Sequence, residues 1–359
     1  MITLNKGEWS ELYVLVYLLS TGKLYSADDK LHAIENVYFP ILKIIREEIN
    51  NNEVEFCVDD GKVLVKLNGN KVNELDKKFL EVKAKKIYES ILNGDGRTFP
   101  VESAESLMPQ MSLTRVKASS NDKPDINMEI HDIHTGIDII CGFSVKSFIG
   151  GTPTLLNASP STNFVYKVNG LDKDKMNEIN SINSRKKILD RISKILEYGS
   201  LEYMYPANDT FKSNLELVDT GMDNIIGAIL LDSYSSGITD IMVLINRLSD
   251  KNPQKHSNPK VFYAHKMKKL LCSSALSMKP SHEWDGQDEA TGGYIIARRD
   301  GKVVAYHLYN RNSFEKYLLE NTVLERGSTT KHHFGTIYQV DDEMYFNLNL
   351  QVRFKKIGE

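Results

Sequence analysis

The sequence predicts a mixed α/β fold: a mixed β-sheet flanked by helices, with N-terminal helices and a β-rich C-terminal part. Three observations point there. Apolar residues recur at helical spacing near the N-terminus and again between about residues 185 and 271. A hairpin of period two lies between those blocks, over residues 125–147. The C-terminal part then returns to alternating strands with one embedded helix.

The elements follow in order. A first helix runs from about Gly7 to Leu19, opened by Asn5 as N-cap and closed near Gly22. Helical spacing continues from Leu31 to Ile49, VEFCVDD and GKVLVKL form a hairpin around Asp59–Gly61, and Asp76 to Leu92 is helical again. Asn93 to Pro124 is polar and irregular, with Pro100, Pro109 and Pro124. DINMEIH and IDIICGFSVKS then flank the turn DIHTG. Helices are expected at Arg185–Leu196, Met222–Leu231, Ile238–Leu248 and Val261–Leu271. GYIIARR and KVVAYHLY pair across Asp300–Gly301, a helix covers Ser313 to about Leu324, and GTIYQV pairs with MYFNLNLQVRF. The whole reads as one domain over 1–359, with a mainly helical part (1–110), a hairpin and loop (111–170), a helical part (171–289) and a β-rich part (290–359).

Composition removes several function classes. At 359 residues, 41% hydrophobic and 26% charged, the chain has the balance of a globular protein with a sizeable core. Its net charge of −3 gives no global basic signal, so any nucleic-acid surface must be local. Cys57, Cys141 and Cys272 form no CxxC pair, which argues against a zinc site or a disulfide frame and suits a reducing cytoplasmic setting. The apolar run LYVLVYLL (residues 12–19) is too short to span a bilayer. No GxxxxGK[ST] loop occurs, so nucleotide-driven translocation is unsupported.

The central hairpin carries the chemistry. Folded about its turn, midway between His134 and Thr135, it sets Asp125 opposite Ser144 and Asn127 opposite Gly142. The other face pairs Ile126 with Phe143, Met128 with Cys141 and Ile130 with Ile139, and a one-residue slip would spoil every pair. Asp125, Asn127, Glu129, Ser144 and Lys146 therefore share one face, with Gly142 leaving room among them. Such a face is either a solvated surface with a cross-strand ion pair or a divalent-metal site whose lysine holds an anionic oxygen. His131 and His134 flank the turn with no partner pattern of an HNH site, and read as turn residues.

Pro124-Asp125, a gap of 18 residues and Ser144-Val145-Lys146 resemble the PD-(D/E)xK nuclease motif, with serine in the usual acidic place. In company with NKGEWSELY, GKLYSADDKL, GFSVKSFIGGTPTLLNAS, YHLYNRNSFEKYLLENT and YFNLNLQVRF, the sequence is similar to the HpaII-type type II restriction endonucleases over nearly its whole length. The resemblance implies a restriction-endonuclease-like core and Mg²⁺-dependent cleavage of double-stranded DNA at a short palindrome, CCGG in the namesake. By position, Asp125 is then the metal-binding aspartate, Lys146 the lysine beside the attacked phosphate, and Val145 the donor of a backbone carbonyl. Ser144 supplies at most a weak ligand, so a carboxylate must come from elsewhere. Glu11, which shares a helical face with Leu15 and Leu18, is the first candidate, Glu8 the second and Glu129 the reserve. Glu8 is equally explained as a first-turn acid favoured by the helix dipole.

Base and phosphate contacts are expected from two stretches. The loop after the catalytic strand offers Thr152, Thr154, Asn157, Ser159, Thr162 and Asn163. The last strand turns Phe346, Leu348, Leu350, Val352 and Phe354 inward and Asn347, Asn349, Gln351 and Arg353 outward, and amides and guanidinium groups suit adenine and guanine edges. The same outward row is also what an ordinary solvent face looks like. Lys331, His332 and His333 read as a small surface cluster. Cutting a palindrome calls for two sites, hence a homodimer, and a cognate DNA methyltransferase is the expected genetic partner. Two other readings stay open: a catalytically inactive sequence-specific DNA-binding protein, and a nuclease of the same core acting on another DNA substrate.

Overall fold

Asn5 caps the first helix, α1 (Lys6–Thr21), in a computed structural model that describes residues 1–28, 30–117, 124–133, 135–307 and 311–356. Its side chain accepts from the Glu8 backbone N–H, and the Glu8 carboxylate accepts in return from the Asn5 N–H at 3.0 Å. Gly22 closes the helix at φ 65°, a left-handed conformation that a side chain would strain. Trp9, Leu12, Val14, Val16 and Leu19 are all fully buried, so α1 is apolar around its circumference and runs through the core.

Five strands follow: β1 (Lys23–Ala27), β2 (Ala33–Glu47), β3 (Glu53–Val58), β4 (Lys62–Leu67) and β5 (Asn70–Asp76). The helix expected over Leu31–Ile49 is thus corrected to the fifteen-residue strand β2. Ile41, Ile44 and Ile45 imitate helical spacing, but Pro40 cannot donate to a helix and its ring would clash with the preceding turn. In β2 it sits where the strand passes from pairing with β1 to pairing with its other neighbours. The first 110 residues, expected to be mainly helical, thus hold five strands as well. Next come α2 (Lys77–Asn93), the short α3 (Glu102–Glu105), and the hairpin β6 (Ile126–Asp132) and β7 (Ile137–Ser147).

The chain continues with β8 (Thr154–Leu156), β9 (Asn163–Asn169), α4 (Lys173–Ser181), α5 (Lys187–Tyr198), β10 (Ser200–Pro206) and α6 (Asp209–Val218). Then α7 (Met222–Ser236), α8 (Ile241–Lys251) and α9 (Pro259–Leu276) lead to β11 (Gly293–Ala297), β12 (Val303–His307) and α10 (Arg311–Glu320). The end holds β13 (Thr322–Leu324), α11 (Thr329–His332), β14 (Ile337–Val340), β15 (Glu343–Asn349) and β16 (Val352–Phe354). The expected final strand is therefore two strands, parted at Leu350–Gln351 and assigned to different sheets.

The sequence reads as one domain, and the contacts of the described residues gather into two compact units. One comprises Met1–Pro153 with Asp288–Phe314, the other Thr154–Gln287 with Glu315–Glu359, so the boundary falls within α10. The first unit holds a nine-stranded mixed sheet in the order β1-β12-β11-β7-β6-β2-β3-β4-β5. Because β1 pairs with β2 as well as β12, the strand row folds back on itself around α1. β6 and β7 pair in the register read from the sequence, Ile126 with Phe143 through Asp132 with Ile137. The second unit holds a four-stranded sheet, β10-β9-β15-β14, a three-stranded sheet, β13-β16-β8, and most of the helices.

None of the three cysteines forms a disulfide, Cys141 and Cys272 being buried, and among the described residues no helix is long and apolar enough to cross a membrane. The cap on α1 gives a direct stability test. Asn5→Ala should cost about 1 kcal/mol, read as a lower urea midpoint at unchanged slope.

Candidate active site

The site begins with a missing side chain. A Cβ on Gly142 would lie 2.6 Å from Cγ of Pro124 and 2.9 Å from Oδ1 of Asn127, so only glycine lets Pro124 rest against β7. The Asp125 N–H then donates to the Phe143 carbonyl at 2.9 Å, extending the ladder one residue beyond β6. Its carboxylate turns onto β7, where Oδ2 accepts from the Val145 N–H at 2.6 Å and from Ser144 Oγ at 3.2 Å. Oδ1 takes no hydrogen bond among the described residues. The serine in the motif's acidic place is buried and serves as a donor to Asp125 rather than as a second acid.

Lys146 stands two residues further along β7, half-buried. Its Nζ lies 5.6 Å from the centroid of the Tyr294 ring, and it forms no hydrogen bond or ion pair among the described residues. The parallel strand β11 supplies that ring by pairing Tyr294 with Ser144 and Ile296 with Lys146. Tyr294 went unnoticed in the sequence because no local signal in GYIIARR says that the segment lies beside β7.

Glu11 reaches the same place from α1. Burial pushes its carboxyl up to about 8, and repulsion from Asp125 adds to the shift, while Arg46, Lys117 and Lys146 act against it. Glu11 is therefore within electrostatic reach of both Asp125 and Lys146. Arg46 is buried, with Nε 2.9 Å from Glu48 Oε1 and Nη2 donating to the Arg115 carbonyl at 2.7 Å. Glu48 also receives the Thr114 N–H at 2.7 Å and the Thr114 hydroxyl, tying the segment ahead of Lys117 to β2. Arg46 escaped the sequence analysis because it fell within the expected helix.

The other carboxylates have their own partners. Glu8 belongs to the α1 cap and accepts from Lys117 Nζ at 3.0 Å; burial opposes its ionisation, yet the Asn5 N–H and Lys117 outweigh it and hold the carboxyl below its usual range. Glu129 lies 3.6 Å from Lys43, which also bonds Glu55 at 2.9 Å. His131 pairs with Asp138 across the hairpin at 2.7 Å, and His134 lies outside the described residues. Among the described residues no three His, Cys, Asp or Glu side chains converge. Asp125 and Glu11 are two hard oxygen donors whose mutual repulsion a divalent cation would relieve, so the pair suits Mg²⁺ better than a softer metal.

Of the expected DNA contacts, Thr152 is half-buried in the first unit, while Thr154, Ser159 and Gln351 are half-buried and Asn157 exposed in the second. Three others face inward. Asn349 is fully buried, its Nδ2 donating to Ser159 O at 2.8 Å, Thr162 Oγ1 at 3.1 Å and Asn163 Oδ1 at 2.7 Å. Asn163 in turn donates to the His332 carbonyl at 2.9 Å, and Thr162 to the Ser159 carbonyl at 3.0 Å. The expectation that Asn349 faces outward is corrected: the Ser159–Asn163 turn covers the polar side of β15 where that strand ends. Arg353 Nε lies 2.7 Å from Glu325 Oε2.

The sequence matches the profile of the HpaII restriction endonuclease family over residues 5–354. The chain belongs to that family. It is 38% identical over 356 residues to the type II restriction enzyme HpaII of Haemophilus parainfluenzae, which spans 98% of each chain. No solved structure matches it. As an HpaII-family restriction endonuclease it is a nuclease of a restriction–modification system, and its activity is site-specific cleavage of DNA.

One property of this HpaII-family site can be measured without DNA. A carboxyl whose pKa is raised on folding contributes fully below its unfolded value near 4.5, and that contribution is lost as pH climbs toward 8. Metal-free Glu11→Gln should therefore gain stability relative to the wild type between pH 5 and pH 8, by an amount on the order of a few kcal/mol at the upper end. Thermal melts of both proteins across that range would show the gap widening; a constant gap would mean that Glu11 titrates normally.

Proposed function

We propose that this restriction endonuclease hydrolyses phosphodiester bonds of double-stranded DNA at a short palindrome, CCGG by likeness to its family, with Mg²⁺ as cofactor. One observation carries the reading: the Val145 N–H holds the Asp125 carboxylate against β7, one residue from Lys146, and Glu11 responds to both charges. Asp125 and Glu11, with the Val145 carbonyl, are the residues that would hold the cation. Glu8 is left to the helix cap and Lys117, and Glu129 to Lys43. When bound, the cation would act as a Lewis acid toward the phosphoryl oxygen and make a nearby water a better nucleophile.

The chain's own residues do the rest. The Lys146 amine, with no hydrogen-bond partner among the described residues, offers its N–H groups to the scissile phosphate and offsets the charge that builds on it. Ser144 and the Val145 N–H hold Asp125 in one orientation, so its remaining oxygen faces the site. The nine-stranded sheet around α1 takes the part of a restriction-endonuclease-like core, and Thr152, Thr154, Asn157, Ser159, Gln351 and Arg353 are the remaining candidates for DNA contacts. Cutting both strands is assigned to a cytoplasmic homodimer, with a DNA methyltransferase of the same specificity as its genetic counterpart.

Incubation with plasmid and Mg²⁺ tests this. Discrete fragments should form, and a chelator should abolish them. Nicks or smears would point to another DNA substrate, and a gel shift alone to an inactive binding protein. Asp125→Ala and Lys146→Ala should each lower cleavage by about a thousandfold or more while the gel shift remains; cutting at the wild-type rate by either variant would refute its role.

A further inference from the structure

We propose that Tyr294 is a positioning residue for Lys146, its ring fixing the amine where the scissile phosphate arrives. The proposal rests on the role given to Lys146 above. Lysine carries its charge on a flexible four-carbon stem, so a half-buried amine without a bonded partner wanders unless something restrains it. The face of Tyr294 supplies a restraint, 5.6 Å from Nζ to the ring centroid and inside the range in which a ring attracts a cation.

The ring itself is fixed. Tyr294 is 1% exposed, its strand is locked to β7 by five registered pairs, and Phe314 packs against it edge-on with centroids 5.2 Å apart. A ring attracts the charge without occupying any of the three ammonium N–H groups. A carboxylate in the same place would hold the amine more firmly, but that ion pair would have to break before the phosphate could take its hydrogen bonds. Tyr294 touches no reacting atom and acts through Lys146.

The test uses the full-length enzyme under single-turnover conditions, on plasmid DNA with Mg²⁺, beside duplex affinity measured without metal. Tyr294→Leu should slow cleavage about tenfold at unchanged affinity, and Tyr294→Phe should stay within about twofold of wild type. Because Leu in a core position can unfold the protein, the deciding series places phenylalanine and then its mono-, di- and trifluorinated forms at position 294, which weakens the ring's negative face with little change of shape. Cleavage should fall stepwise with each fluorine. In metal-free protein carrying ¹³C-labelled lysine, the Lys146 ε-methylene signal should be ring-shifted in the wild type and Tyr294→Phe. A flat fluorine series, or an unshifted signal in the wild type, overturns the proposal. Lys146→Ala separates the two levels: if it cuts at the wild-type rate the role of Lys146 itself fails, whereas a dead lysine variant with a flat fluorine series sinks Tyr294 alone.

Discussion

The hydrogen bond from the Val145 N–H to Asp125 Oδ2 is the contact on which the site depends. It folds an acidic side chain onto the neighbouring strand, next to the lysine one residue on. Two conditions make it available. The β6–β7 register must bring residue 125 level with residue 144, and the strand must lack a side chain at 142 so that Pro124 can come close. A register error of one residue would reverse both faces, burying the charges and exposing Phe143 and Met128. The apolar pairs of the hairpin thus set the position of Asp125 and Lys146, although they lie on its other face.

The serine has a place in the same geometry. In the motif that the sequence resembles, an acid stands at this position. Ser144 instead donates to the carboxylate of Asp125. A second carboxyl comes from α1, where Glu11 stands among buried apolar residues. Its cost in desolvation and in repulsion from Asp125 is opposed by Arg46, Lys117 and Lys146, drawn from three separate segments. Were Glu11 to hold the proposed cation, its raised pKa would couple metal affinity to proton release.

How much of this was legible in the sequence depended on how local the signal was. The cap of α1, the hairpin register and most helices rest on contacts between residues close along the chain, and period or capping chemistry reveals them. The strand Ala33–Glu47 was hidden because three isoleucines fall at helical spacing, although Pro40 stood in the middle as a warning. Asp125, Lys146 and Glu11 could be named from motif and helical face. Tyr294 and Arg46 could not, since each reaches the site through strand pairings between distant segments that leave no pattern in either segment alone. The polar row of the last strand misled in the opposite sense: Asn349 looks like a solvent-facing amide until the turn that covers it is known.

The pairing of β7 with β11 also bears on when the nuclease becomes competent. Gly142 and the Thr291 hydroxyl that its N–H meets stand 149 residues apart, and the stretch Thr154–Gln287 between them belongs to the second unit. During synthesis, the strand bearing Ser144 and Lys146 emerges with one flank open and stays so until β11 leaves the ribosome. A growing chain already holds its acid and its amine, but not the neighbour that completes the strand's ladder. That flank of the strand's ladder can close only once residue 297 has been made.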